Sequence, residues 1–219
     1  MTMEMEKTQA SVVIIARQFN PSIISQYWLI KNNILTEEEF EVGSIFSPVM
    51  VNIQSKKCDI LILPDQLQFI PKTDSESEQE LVTSKLGNII KLLPHTPFVA
   101  AGLNFSWHIR RDDISISALS WNLFFREGSP LYLAFNTEDA HFGAYMSKDV
   151  IGCRLKLDVK PVTINLPEAP IERLQFAFNF HLQLAEDNKV DDILCLLSKW
   201  NEAREISSAM VKSVTDQDS

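Results

Sequence analysis

Between Glu172 and Ala185 apolar residues keep to every second position. Leu174, Phe176, Phe178, Phe180, Leu182 and Leu184 alternate with Gln175, Ala177, Asn179, His181 and Gln183. Successive side chains of a strand point to opposite faces, whereas a helix would scatter these residues around its surface. The stretch predicts one long strand with an apolar face and a polar face. Residues 96–110 repeat the pattern, with Leu103, Phe105, Trp107 and Ile109 on one side and Asn104, Ser106, His108 and Arg110 on the other.

The remaining elements follow from the same periodicities. Residues 12–19 are rich in β-branched side chains and predict a first, central strand. Asn20-Pro21 is a helix start, with Asn as cap and Pro in the first turn, and that helix is expected to run to about Asn33. Thr36 and Glu39 have the spacing of a capping box. Residues 48–55 and 59–70 predict two strands joined across Ser55–Cys58, with Pro64 marking an edge, a bulge or a break in the second. After the acidic loop 73–80, an apolar stripe at helical spacing runs from Leu81 to Leu93 and stops before Pro94.

Asp112 or Asp113 is expected to cap a helix carrying Ile114, Ala118, Trp121 and Phe125. Residues 129–136 read as a loop with a short strand at most. Residues 140–147 and 151–159 predict a hairpin across Lys148-Asp149, and residues 161–170 form a proline-marked connection into the strand at 172–185. A last helix from Val190 to about Val214 would be roughly 35–40 Å long at 1.5 Å per residue. Residues 1–10 and 215–219 read as disordered ends.

This order predicts an α+β fold, a mainly antiparallel sheet with helices packed on one face, in a single compact domain spanning residues 1–219. Its first half reads β-α-β-β-α-β, the split βαβ or ferredoxin-like arrangement, and its second half α-β-β-β-α. Residues 11–110 and 112–214 form a possible pseudo-repeat. A curved sheet gripping the long C-terminal helix around a cavity is the second architecture compatible with the pattern.

Composition narrows the function classes. The net charge is −9 and the pI about 4.9. Such a balance repels phosphate backbones and anionic membranes, and the basic residues cluster only as the pairs Lys56-Lys57 and Arg110-Arg111, so neither nucleic acid nor a membrane is an expected partner. Cys58, Cys153 and Cys195 are odd in number and widely spaced, which favours a reducing compartment. With no signal-like start and no membrane-length apolar run, the reading is cytoplasmic.

No nucleotide-binding glycine loop, zinc-protease helix, nucleophile elbow or paired CxxC is present, so no cofactor is expected and catalysis is disfavoured. Acidic pairs at Asp112-Asp113 and Asp191-Asp192 sit where helices begin and are accounted for by capping. His108, His141 and His181 would form a metal or acid–base cluster only if their strands converge.

The more informative feature is the polar side of the strands. Asn104, His108, His141, Gln175, Asn179, His181 and Gln183 are neutral hydrogen-bonding groups, less costly to cover than charges. They form the candidate binding face. The leading expectation is a non-enzymatic binding or assembly module that self-associates as a homodimer or docks a protein partner there. The alternative is a cup for a small-molecule ligand or substrate, lined by the three histidines, between the sheet and the C-terminal helix.

Overall fold

Among the described residues, nine antiparallel strands form one sheet in the order β2-β3-β4-β5-β1-β6-β9-β8-β7. The structure, a computed structural model, describes residues 3–73, 76–111, 114–185 and 189–215. The strands are β1 (Met3–Ala16), β2 (Ile45–Phe46), β3 (Val51–Gln54), β4 (Cys58–Ile62), β5 (Gln66–Pro71), β6 (Phe98–Arg111), β7 (Ala144–Val150), β8 (Cys153–Ile164) and β9 (Ile171–Gln183). Between them lie α1 (Gln26–Lys31), α2 (Glu78–Leu81), α3 (Gly87–Lys91), α4 (Ile116–Phe124) and α5 (Pro130–Leu133), and the chain closes with α6 (Lys189–Ser198) and α7 (Trp200–Thr215). A π-helical segment, Val82–Leu86, joins α2 to α3.

The long strands β1 and β6 lie side by side at the centre and pair from Met3↔Arg111 to Ala16↔Phe98. Each flank then follows one rule. A meander starts at the outer edge and steps inward until its last strand meets the centre: β2-β3-β4-β5 against β1 and β7-β8-β9 against β6.

The α+β class and the antiparallel sheet agree with the sequence pattern, but the split βαβ order does not form. That order would set a parallel strand beside β1. Pro64-Asp65 instead breaks the predicted strand 59–70 into the hairpin β4–β5, pairing Ile62↔Leu67, so the chain reverses before it reaches β1. A proline cannot donate to the ladder, which is why the run ends there.

Other corrections have equally local causes. Residues 3–10 are not a frayed end but the first part of β1, held by β6 despite few apolar side chains. A register shift between Lys7 and Gln9 makes Thr8 the extra residue of a bulge. The segment after Asn20 is a short 3₁₀ turn, Pro21–Ile23, and α1 starts afresh with the Ser25 hydroxyl accepting from the Trp28 N–H.

The capping box at Thr36 forms as expected, its backbone N–H donating to Glu39 at 2.9 Å. Asp112 and Asp113 lie outside the described residues; Ser115 caps α4. The stretch 129–136 holds α5 rather than a strand. The hairpin β7–β8 turns at Ile151-Gly152, not Lys148-Asp149, with φ positive at both residues (47° and 75°), as a two-residue turn between right-twisted strands requires.

The C-terminal helix breaks at Lys199, whose N–H bonds back to Leu196 in a tight turn. Beyond α7, residues 216–219 of the expected disordered end lie outside the described residues, as do residues 1 and 2.

One hydrophobic cluster runs under the whole sheet. Val12, Ile14, Leu103, Phe105, Leu155, Leu157, Phe176, Phe178 and Phe180 meet the buried apolar residues of the helices there. Trp200 is fully buried, with its ring 4.7 Å from that of Phe105 and its indole N–H donating to Glu78 at 3.2 Å. The Trp107 indole donates to Ser207 of α7. Side chains therefore fill the space between the sheet and α6–α7, where the alternative architecture expected a cavity.

Candidate binding site on the open sheet face

The helices cover one face of the sheet. The strand residues that alternate with the core point the other way, and their cross-strand register builds three polar rows. Ser11, Asn104, Asn179 and Lys156 form the middle row, on β1, β6, β9 and β8. Gln9, Ser106, Ala177, Asp158 and Tyr145 form the row on one side, and Gln68, Val13, Gly102, His181 and Arg154 the row on the other. Most of these residues are half-buried, as expected where neutral side chains lie flat against one another.

Residues of these rows line a hollow of about 420 Å³ over the sheet centre. Its floor contains Ser11, Ser106 and Ala177, small residues flanked by longer ones, and its rim includes Gln68, Tyr145 and Lys156. The Asn179 amide donates to the Asn104 carbonyl oxygen at 2.6 Å, which leaves the Asn104 amide and the Asn179 oxygen for other partners. Gly102 makes room for this pair, since a Cβ there would lie 3.0 Å from the Asn179 amide nitrogen. Ser11 is 1% exposed, and its hydroxyl has no hydrogen-bond partner among the described residues. A buried hydroxyl without a partner is unfavourable by roughly 1–3 kcal/mol and calls for an explanation.

Six of the seven expected residues lie on this face. Asn104 and Asn179 line the hollow. Gln175 contacts His108 across the strands at 3.3 Å, and Gln183 donates to the Val99 carbonyl at 2.9 Å. Burial holds the His108 imidazole below its usual pKa. Burial, and next the charge of Lys156, does the same to His181.

His141 is the exception. It lies on the helix side of the sheet, where Nε2 is 3.2 Å from the Ser117 hydroxyl and 3.6 Å from Glu172, and Nδ1 is 2.9 Å from the Asp139 carbonyl oxygen.

The histidines therefore do not converge. His108 lies opposite Gln175 and His181 is six residues further along β9, roughly 20 Å at the strand rise. No group of three His, Cys, Asp or Glu among the described residues could hold a metal ion. A second hollow, about 570 Å³, lies among loops at one end of the sheet, lined by Phe19, Pro21, Pro48, Pro64, His95 and Pro97. It contains no charged residue, and none of its lining side chains is a buried polar group lacking a partner.

Ser11, Lys156 and Tyr145 were not part of the expected face. Ser11 precedes the predicted strand start at Val12, though strand parity with Val13 would have placed it. Lys156 reads from sequence as a solvated lysine, because only the strand order brings it beside Asn179. Comparison with protein-family models, curated proteins and solved structures gave no match. No helix among the described residues is long and apolar enough to cross a membrane.

Proposed function

We propose that this protein is a non-enzymatic binding module whose open sheet face docks a polypeptide. The observation that carries the reading is the hollow of about 420 Å³ over the sheet centre, floored by a buried Ser11 hydroxyl without a partner among the described residues. Neutral amides and hydroxyls fit this role because they tolerate desolvation and offer both donors and acceptors to an extended chain.

An extended segment suits the hollow better than a second copy of the same face. Two such faces set against each other would meet at their rims and enclose both hollows. The cysteines fit a reducing, cytoplasmic setting: Cys58, Cys153 and Cys195 are free, and burial raises the first two thiols above their usual pKa.

The test is an unbiased peptide-display selection on the full chain, with every hit re-measured on Ala177→Arg, which places a long cation in the floor of the hollow. Binders lost in the variant support the reading. Binders indifferent to it, or none at all, overturn it. Sedimentation of both proteins over a range of concentration reports self-association. A dimer abolished by Ala177→Arg would make a second copy the occupant.

A further inference from the structure

The open face is charged unevenly, and that asymmetry identifies what it takes. The whole chain has 29 acidic residues against 20 basic ones. On the open side of β8 and β9 the balance inverts: Arg154, Lys156, Lys160 and Arg173 share that surface with the single carboxylate of Asp158. Two of the cations on β8 are already engaged. Arg154 pairs with Asp149 at 3.1 Å and Lys160 with Asp158 at 2.8 Å. Lys156, between them on the rim of the hollow, has no carboxylate within ion-pair distance among the described residues.

At the other end of the same row stands Ser11, buried and without a hydrogen-bond partner among the described residues. Three strand spacings separate the two, roughly 14 Å at about 4.8 Å per spacing. An extended polypeptide advances roughly 3.3 Å per residue, so four to five residues laid across the strands span the row.

We infer that the hollow takes an acidic segment of a partner protein, which lies across the central strands with a side-chain carboxylate on Lys156 and a polar group on Ser11. The inference rests on the docking reading above and names its occupant. Between the two anchors, the Asn104 amide and the Asn179 oxygen stand where a crossing main chain would need a donor and an acceptor. A polynucleotide fits less well, because it carries a phosphate at every nucleotide and Lys156 is the one cation among the described residues that line the hollow.

The experiment is fluorescence anisotropy on the full chain with three labelled probes: a ten-residue Glu/Thr peptide, its Lys/Thr counterpart, and a ten-nucleotide single strand. The Glu/Thr peptide should bind at least tenfold more tightly than either of the others. Lys156→Gln should weaken it about tenfold and Lys156→Glu further, while Lys156→Glu gains affinity for the Lys/Thr peptide. Ser11→Ala should weaken it several-fold with no loss of thermal stability. Lys91→Gln, an exposed cation of α3 on the helix side, should change it less than twofold. Unfolding midpoints of all variants show that each is folded.

Equal binding of both peptides, preference for the oligonucleotide, or indifference to Lys156→Glu overturns the inference. Its failure is distinct from failure of the docking reading. Neutral or basic display hits that Ala177→Arg abolishes would sink the acidic occupant and leave the face standing. The absence of any binder sensitive to Ala177→Arg sinks both.

Discussion

Phe180→Ala and Asn179→Ala differ by one position on β9 and should behave as mutations in two different environments. Phe180 is fully buried and meets Phe105 edge-on at 6.1 Å, while Phe105 in turn packs on Trp200 at 4.7 Å. Truncating it removes apolar burial, opens a cavity under three strands and breaks the aromatic chain, a loss of about 3–5 kcal/mol. Against a total stability of roughly 5–15 kcal/mol, that is a large fraction. Asn179 loses one amide hydrogen bond of 2.6 Å to Asn104 at a half-buried site, where water can replace it, a loss of about 0.5–1.5 kcal/mol.

Equilibrium urea unfolding reads both. With a slope of roughly 1–3 kcal/mol per molar, Phe180→Ala should lower the midpoint by more than about 1 M and Asn179→Ala by clearly less, with slopes unchanged. If Phe180→Ala moved the midpoint no further than Asn179→Ala, β9 would not divide a packed core from an open face.

Ser11→Ala should leave the free protein equally stable or up to about 1 kcal/mol more stable, because it removes a buried hydroxyl with no partner among the described residues; thermal unfolding measures this, and a loss above that size would mean that the hydroxyl has a structural partner. Gly143→Ala would press a Cβ on the Val159 carbonyl, and a cost of about 1–3 kcal/mol in urea unfolding is expected. Glu78 is buried against Lys7 at 2.6 Å and the Trp200 indole, so Glu78→Ala should lower stability by about 3 kcal/mol, whereas replacement of an exposed acid such as Glu205 should be nearly neutral.

Burial lowers the pKa of His108 and His181 in the folded chain, so the unfolded chain binds protons first as the pH falls. Their contribution is complete above the unfolded value near 6.5 and is lost as the pH falls through the lower folded values. Urea midpoints measured from pH 7.5 to 5 should therefore fall less steeply in the double variant His108→Gln/His181→Gln.

Strand periodicity made β6 and β9 legible because both of their faces are clearly marked, and with them the outward direction of Asn104, His108, Gln175, Asn179 and His181. Elements held by partners rather than by their own composition were not legible. Residues 3–10 have too few apolar side chains to announce a strand, yet β6 pairs with them. The hairpin at Pro64 and the helix break at Lys199 are each decided by one or two residues inside a longer uniform pattern.

The hollow was the least accessible to sequence, because it depends on strand order. Only the placement of β1 and β6 side by side, with β9 and β8 beyond, sets Ser11 in one row with Lys156. His141 shows the converse: a histidine at a predicted strand start belongs to the loop before β7 and faces α4.

The claim that the open face does the docking is tested most directly by the nitrogen–proton spectrum of the labelled protein, titrated with a segment obtained from the display selection. The side-chain amide signals of Gln68, Asn104, Gln175 and Asn179 lie on the open face, and the indole signals of Trp107 and Trp200 lie beneath the helices. The amide signals of Asn104 and Asn179 should shift in proportion to occupancy while both indole signals stay in place. Movement of the indole signals with the amide signals unmoved would put the binding site on the helix side and contradict the account.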